Sequence, residues 1–132
     1  MSDPTGTPDQ TRTTSFKSRP GLARVWHAAR YSRDGLLAAF RHEAAFRQEL
    51  AIGLPLIALA WWIAPSRWQA LAMTLSIVAV FVVELLNSAV EALSDAVSLE
   101  SHPLIKRAKD MGSAAVMLSV ATAVLVWLVA LA

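Results

Sequence analysis

Three carboxylates and one amide lie on a single face of a segment that is otherwise rich in apolar residues. Glu84 is followed by Asn87, Glu91 and Asp95 at offsets of three, seven and eleven positions. These offsets bring side chains to the same face of an α-helix. Carboxylates in such a stripe serve as general bases and as ligands for hard cations such as Mg²⁺.

The apolar run before the stripe gives the depth of each carboxylate. The roughly 16 residues from Trp68 to Glu84 climb about 24 Å of a hydrocarbon core about 30 Å thick. We therefore expect Glu84 just inside a membrane boundary, at the depth of a lipid hydroxyl, where a carboxylate shielded from water gains basicity. Glu91 lies about 10 Å further along, near the water. The structural alternative is that the stripe pairs with arginines of a surface helix.

A second set of charged residues favours phosphate chemistry. Glu43 and Glu91 are candidates to hold Mg²⁺, which commonly takes one or two carboxylates together with nucleotide phosphates. Lys109, beside Asp110, supplies a cation for phosphate near the same boundary. The chain has neither a GxxxxGK[ST] phosphate loop nor the glycine-rich loop of protein kinases, so spacing alone does not establish nucleotide use.

The elements that position these residues are predicted from stretches that lack charge. Apolar residues make up 55% of the 132-residue chain, which is too much for an ordinary soluble domain and indicates a membrane protein. We expect membrane-spanning helices over about 50–65, 68–93 and 111–131, the second continuing through Glu84 to reach sufficient length. Because the chain has no cysteine, a bound metal must use oxygen or histidine ligands.

The residues before the first span divide into two parts. Residues 1–20 are rich in Thr, Ser and Pro, which predicts a disordered N-terminal tail before a membrane domain over 21–132. Residues 21–48 carry apolar side chains at helical spacing with arginines among them, which predicts one or two amphipathic helices on the membrane surface. A soluble helical cap on the bundle is the alternative.

Basic residues predict the orientation. Eight of the twelve Lys and Arg residues precede the first span, three lie between the second and third, and Arg67 alone separates the first from the second. By the positive-inside rule, the N-terminus faces the cytoplasm and the C-terminus faces outward. The charged stripe would then work on the cytoplasmic side.

Three segments resemble signature sequences of the prokaryotic diacylglycerol kinase family. They are EAAFRQE at 43–49, VELLNSAVEALSD at 83–95 and RAKDMGSAAV at 107–116, and the resemblance runs in order from Gly21 to the C-terminus. It implies an all-α membrane protein of the bacterial inner membrane, with an N-terminal amphipathic surface helix and three transmembrane helices, assembled as a homotrimeric bundle with shared active sites. It also implies ATP-dependent, Mg²⁺-dependent phosphorylation of diacylglycerol to phosphatidic acid, and no nucleic-acid partner.

The resemblance further implies a role for individual residues. Glu84 is expected to be the catalytic base, and Glu43 and Glu91 the metal ligands. The expected ATP-binding residues are Arg24, Tyr31, Glu43, Glu91, Glu100, Ser101, His102, Lys109 and Asp110. The expected lipid-binding residues are Arg24, Ala45, Phe46, Arg47, Gln48, Glu49, Glu84 and Ser113. Asn87 and Asp95 are expected to form a supporting polar core.

Three features depart from the family pattern, and one is Arg33, which stands where an aromatic residue is common. Ala96 stands where a basic residue is common, and Pro103 stiffens the connection before the third span. These changes leave nucleotide preference and loop contacts open.

Two further hypotheses compete with this one. Undecaprenol presents a hydroxyl at the same depth as diacylglycerol, although EAAFRQE favours the latter. A non-catalytic alternative is a small ion or proton transporter subunit, whose carboxylates would carry the ion. That hypothesis predicts polar residues on several spans, whereas the first and third predicted spans contain no charge.

Overall fold

The computed structural model describes residues 21–97 and 102–132. Within them the chain forms the helices α1 (Gly21–His42), α2 (Ala44–Ile63), α3 (Arg67–Val97) and α4 (Pro103–Leu131). The predicted tail over 1–20 and two predicted ATP-binding residues, Glu100 and Ser101, lie outside the described residues. The prediction of an all-α protein with three long apolar helices is confirmed.

Helices α2, α3 and α4 are long and apolar enough to cross a membrane. They contain 20, 31 and 29 residues, whereas about 20 helical residues span the hydrocarbon core. The surplus in α3 and α4 therefore extends beyond the core, and it carries Glu91 on α3 and Lys109 on α4. Large apolar side chains elsewhere face outward, such as Trp62, which is 85% exposed. Such a surface suits lipid or another membrane helix.

The surface helix predicted over 21–48 is divided at Glu43. This residue has φ −103° and ψ 110°, which is extended backbone, and the residues after it already belong to α2. The guanidinium of Arg47 donates from Nη1 to the carbonyls of Phe40 at 3.1 Å and Arg41 at 3.2 Å. These carbonyls belong to the last turn of α1, where intrahelical donors are missing. A side chain from the next helix therefore caps the end of α1.

The interior of the bundle lies on both sides of α3, which packs against α2 and α4. Two small buried clusters form it, one of Ala60, Met73 and Ala130 and one of Ile77, Val80 and Ala123. Close approach of α2 to α3 requires Gly53, because a Cβ there would overlap the Phe81 ring and lie 2.9 Å from Cγ2 of Ile77. Small residues play this part in membrane helix pairs.

Polar bonds fix the end of the bundle where α2 turns into α3, which we call the turn end (residues 64–66). Gln69 donates from Nε2 to the carbonyl of Ala130 at 3.0 Å, and Trp127 donates from Nε1 to the carbonyl of Met73 at 3.3 Å. Both bonds join α3 to α4. They fix the register of the two helices, and with it the relative height of the acidic and basic residues at the opposite end, the charged end.

Candidate active site

Four glutamates from three parts of the chain lie within electrostatic range around Glu84 at the charged end, and we call them the glutamate cluster. Glu84 and Glu91 lie on α3, Glu49 on α2, and Glu43 at the α1–α2 junction. The Glu84 side chain is buried, with 4% of the residue exposed, and it interacts electrostatically with the other three carboxylates. The structure thus brings together the predicted base, both predicted metal ligands and one predicted lipid-binding residue.

The glutamate cluster lacks a compensating cation in the part of the chain that the structure describes. The ion pairs found there join Lys106 to Asp110 and Lys109 to Asp95, and no arginine of α1 pairs with the glutamates. Negative charges around the buried Glu84 carboxylate repel it, and the fold must offset that cost. The arrangement therefore suits a cationic or hydrogen-donating ligand better than a purely structural role.

Glu49 connects the glutamate cluster with an apolar groove. Its Oε2 atom is buried and accepts no hydrogen bond from residues 21–97 or 102–132. Glu49 also lines a groove of about 720 Å³ between α2, α3 and α4, whose other walls include Ile52, Phe81 and Trp127. A pocket that is mostly apolar with one polar group at its end fits an amphiphile.

Asn87 lies one helical turn before Glu91 and orients it. Its Nδ2 atom donates to Oε1 of Glu91 at 3.3 Å. Its Oδ1 atom is buried, has no donor among the described residues and faces Gly112 of α4. Asn87, which was predicted to be a supporting residue, thus makes a specific contact with a predicted metal ligand.

Lys109 is held at the charged end by a bond between helices. Its Nζ atom lies 3.2 Å from Oδ1 of Asp95 on α3, and 40% of the lysine side chain is exposed. Lys106 pairs instead with Asp110 one turn away on α4, at 2.5 Å. Lys109 is therefore oriented but still accessible to an anion, as phosphate binding requires.

The carboxylate oxygens fit Mg²⁺ only if phosphate and water oxygens complete its coordination shell. In the two described ranges no group of three or more His, Asp or Glu side chains is arranged as a complete metal site. Mg²⁺ commonly takes one or two protein carboxylates and completes its shell with phosphates and water. Glu43 and Glu91 are half-buried and both interact electrostatically with Glu84, so two hard donors lie in the neighbourhood of the predicted base.

The predicted ATP-binding residues of α1 precede Glu43 by 19 residues for Arg24 and 12 for Tyr31, which is about 28 and 18 Å along a helix. Both residues occupy exposed positions, and Arg24 forms no ion pair with a glutamate in the described part of the chain. His102 has a local role, because its Nδ1 accepts from the amide of Leu104 at 3.2 Å and caps the start of α4. Pro103 at the first helical position is the sequence signal for that start.

The predicted lipid-binding residues occupy different environments. Phe46 is buried and packs edge-to-face on Phe81 with ring centroids 6.5 Å apart, while Arg47 caps α1. Exposed positions are occupied by Ala45, Gln48 and Ser113. Sequence reasoning missed the groove wall on α4 and the contact between Gly112 and Asn87, because a single sequence carries no signal for contacts between distant residues.

Comparison with known proteins shows the family of the chain. The prokaryotic diacylglycerol kinase family matches residues 30–131. The chain is 47% identical over 112 residues to the diacylglycerol kinase of Pseudomonas aeruginosa, covering 85% of this chain and 91% of the relative. It is 43% identical over 111 residues to that of Escherichia coli K12, covering 84% and 91%, and 39% identical over 107 residues to that of Helicobacter pylori 26695, covering 81% and 84%. The chain belongs to the prokaryotic diacylglycerol kinase family of enzymes.

Proposed function

We propose that this protein transfers the γ-phosphate of ATP to the free hydroxyl of diacylglycerol, giving phosphatidic acid and ADP. Its membership of the family makes it a kinase, and the names of its relatives supply the lipid. The observation that carries the proposal is Glu84, a buried carboxylate among three other glutamates at one end of helices that can span a membrane.

Glu84 acts as the general base in this proposal. As the hydroxyl oxygen bonds to the γ-phosphorus, its proton passes to the Glu84 carboxylate. The bond between the γ-phosphorus and the bridging oxygen breaks, and its electron pair leaves with ADP. Phosphoryl transfer depends mainly on positioning and charge stabilisation, so a small number of correctly placed groups suffices.

The remaining charged groups bind the nucleotide. Glu43 and Glu91 would hold Mg²⁺, which when bound neutralises the negative charge of the phosphates. Lys109 binds phosphate oxygens and is held in place by Asp95 at 3.2 Å. The family resemblance adds Arg24, Tyr31, Glu100, Ser101, His102 and Asp110.

The lipid enters from the bilayer. Glu49, whose buried Oε2 has no partner among the described residues, marks the polar end of the groove, where the free hydroxyl of the lipid would lie near Glu84. The acyl chains follow the apolar groove that begins at Glu49 and continues between α2 and α4. This continuity between the groove and the carboxylate next to Glu84 supports diacylglycerol as an amphiphilic substrate.

The proposed setting is the bacterial inner membrane, with the N-terminus in the cytoplasm and the C-terminus outward. The distribution of lysine and arginine supports this orientation. We further propose a homotrimer with shared active sites. In support, Arg24 and Tyr31 lie apart from the glutamate cluster of their own chain, and large apolar side chains face outward.

Purified protein in mixed micelles, supplied with ATP labelled in the γ-phosphate, tests this function. Diacylglycerol and undecaprenol are offered separately, and the labelled lipid product is separated and counted. We expect phosphatidic acid from the first and little product from the second. Undecaprenyl phosphate alone would replace diacylglycerol as the substrate, and no product from either lipid would refute the proposed kinase activity.

A further inference from the structure

We propose that Gly112 is a positioning residue for the metal ligand Glu91 and acts through Asn87. The missing side chain at Gly112 lets α4 approach the amide of Asn87, and that close fit holds the amide in the position from which it bonds to Glu91. The inference rests on the proposed function, since it assumes that Glu91 binds Mg²⁺.

The geometry of the contact is specific. A Cβ atom added to Gly112 would overlap Oδ1 of Asn87 and lie 3.3 Å from its Cγ and 3.9 Å from its Cα. The nearest neighbours of this position are therefore all atoms of one residue. An alanine at 112 would displace the Asn87 amide or push α4 away from α3, because packed helix interfaces leave little room for an extra methyl group.

The orientation of the amide follows from the chemistry of its neighbour. The Glu91 carboxylate only accepts hydrogen bonds, so the Nδ2 side of Asn87 must face it, as the distance of 3.3 Å between Nδ2 and Oε1 indicates. The Oδ1 atom is then directed at Gly112, where it is buried without a donor from residues 21–97 or 102–132. Rotating the amide would place two acceptors against each other.

The described glycines on the other helices do not share this environment. A Cβ at Gly35 of α1 meets nothing within 4 Å, and a Cβ at Gly53 of α2 meets Phe81 and Ile77. Gly53 thus serves apolar packing, whereas Gly112 contacts the polar residue that holds a proposed metal ligand. These two glycines provide matched controls for the same substitution.

The expected consequence is weaker metal binding. Residues that hydrogen-bond to a metal ligand orient it, and losing one typically costs 10–100-fold in metal affinity or activity. The distance of 3.3 Å between Asn87 and Glu91 is at the long end for such a bond, so we expect the low end of that range, about tenfold.

The experiment uses the fact that Asn87 is the only asparagine in the chain. Protein labelled with ¹⁵N only in asparagine side chains gives one NH₂ resonance pair, which reports the Asn87 amide without metal or turnover. Binding of Mn²⁺ in place of Mg²⁺, in the presence of ADP, is titrated by the loss of the free-ion signal in electron paramagnetic resonance.

We expect Gly112→Ala to move the Asn87 NH₂ resonances and to raise the half-saturating Mn²⁺ concentration about tenfold. Gly35→Ala should change neither quantity. Gly53→Ala should lower thermal stability, with the Asn87 resonances unmoved. Unmoved Asn87 resonances in Gly112→Ala would overturn the inference, as would a loss of Mn²⁺ affinity that is equally large when Gly112→Ala is made in an Asn87→Ala background.

Two further variants keep the test decisive. If Gly112→Ala does not fold, adding Asn87→Ser should restore folding by removing the overlapping atoms, and failure to restore it would refute the contact. Glu91→Gln separates the two proposals. If it leaves Mn²⁺ binding unchanged, the proposed metal role of Glu91 is wrong; if it weakens binding while Gly112→Ala does not, only the inference about Gly112 is wrong.

Discussion

Replacing Glu84 with glutamine should make the protein more stable and nearly inactive. The side chain is 4% exposed, interacts with three other carboxylates and forms no ion pair in the described ranges. Glutamine has nearly the same shape but removes the charge and the repulsion. Removing a buried charge relieves this repulsion and part of the desolvation cost, and we expect the free energy of unfolding to rise by about 1–3 kcal/mol.

The same change removes the proposed base. A positioned general base contributes about 10²–10⁴-fold to a rate, which corresponds to about 3–5 kcal/mol of activation free energy. Phosphate transfer in micelles should fall by that factor, while unfolding in mixtures of SDS and a mild detergent should require more SDS. Sites that trade stability for activity behave in this way.

Asp34→Asn is the matched control for Glu84→Gln, because it removes the same charge from an exposed position of α1. It should alter neither turnover nor stability appreciably. Glu84→Gln turnover within tenfold of the original would refute the assignment of the base. Loss of both activity and stability would instead show that Glu84 is required for packing.

Two further predictions concern the two ends of the bundle. Lys109→Met should raise the KM for ATP about tenfold, which is the effect of losing one charge-assisted hydrogen bond. Lys106→Met should change the KM much less, because Lys106 pairs with Asp110 on its own helix. Equal effects of the two variants in initial-rate measurements would contradict the proposed phosphate contact. Gln69→Leu should lower the free energy of unfolding by about 1 kcal/mol, because it removes the bond to the Ala130 carbonyl. It should leave the KM for ATP unchanged. A raised KM would show that the turn end is coupled to the nucleotide site.

The three apolar helices could be predicted because their determinants are local. Stretches without charge need only length to indicate a membrane span, and the offsets from Glu84 to Asp95 indicate one helix face whatever surrounds it. The break at Glu43 could not be predicted in this way. Neither glycine nor proline adjoins it, and the carbonyls of Phe40 and Arg41 are satisfied by Arg47, a contact that exists only once α2 has turned away from α1.

The candidate site was predictable in its chemistry but only partly in its geometry. Carboxylates at the end of an apolar run indicate function because their burial is costly, and the structure brings Glu43 and Glu49 to Glu84. The fit between Gly112 and Asn87 depends on the register of α3 against α4. That register is fixed where Gln69 bonds to Ala130, which is 18 residues from Asn87 along α3 and 18 residues from Gly112 along α4.

Glu43, the extended residue between α1 and α2, also determines how far a tilt of α1 at the membrane surface would move the site. Glu43 is the single non-helical residue between α1 and α2, so a change in the angle of α1 would be a rotation about Glu43. The 22 residues of α1 extend about 33 Å, and a rotation of about 10° would move Gly21 by about 6 Å. The Glu43 backbone would hardly move, because it lies on the axis of that rotation. If the bilayer thinned or bent, the far end of α1 would therefore move most. The Glu43 carboxylate would keep its position near Glu84.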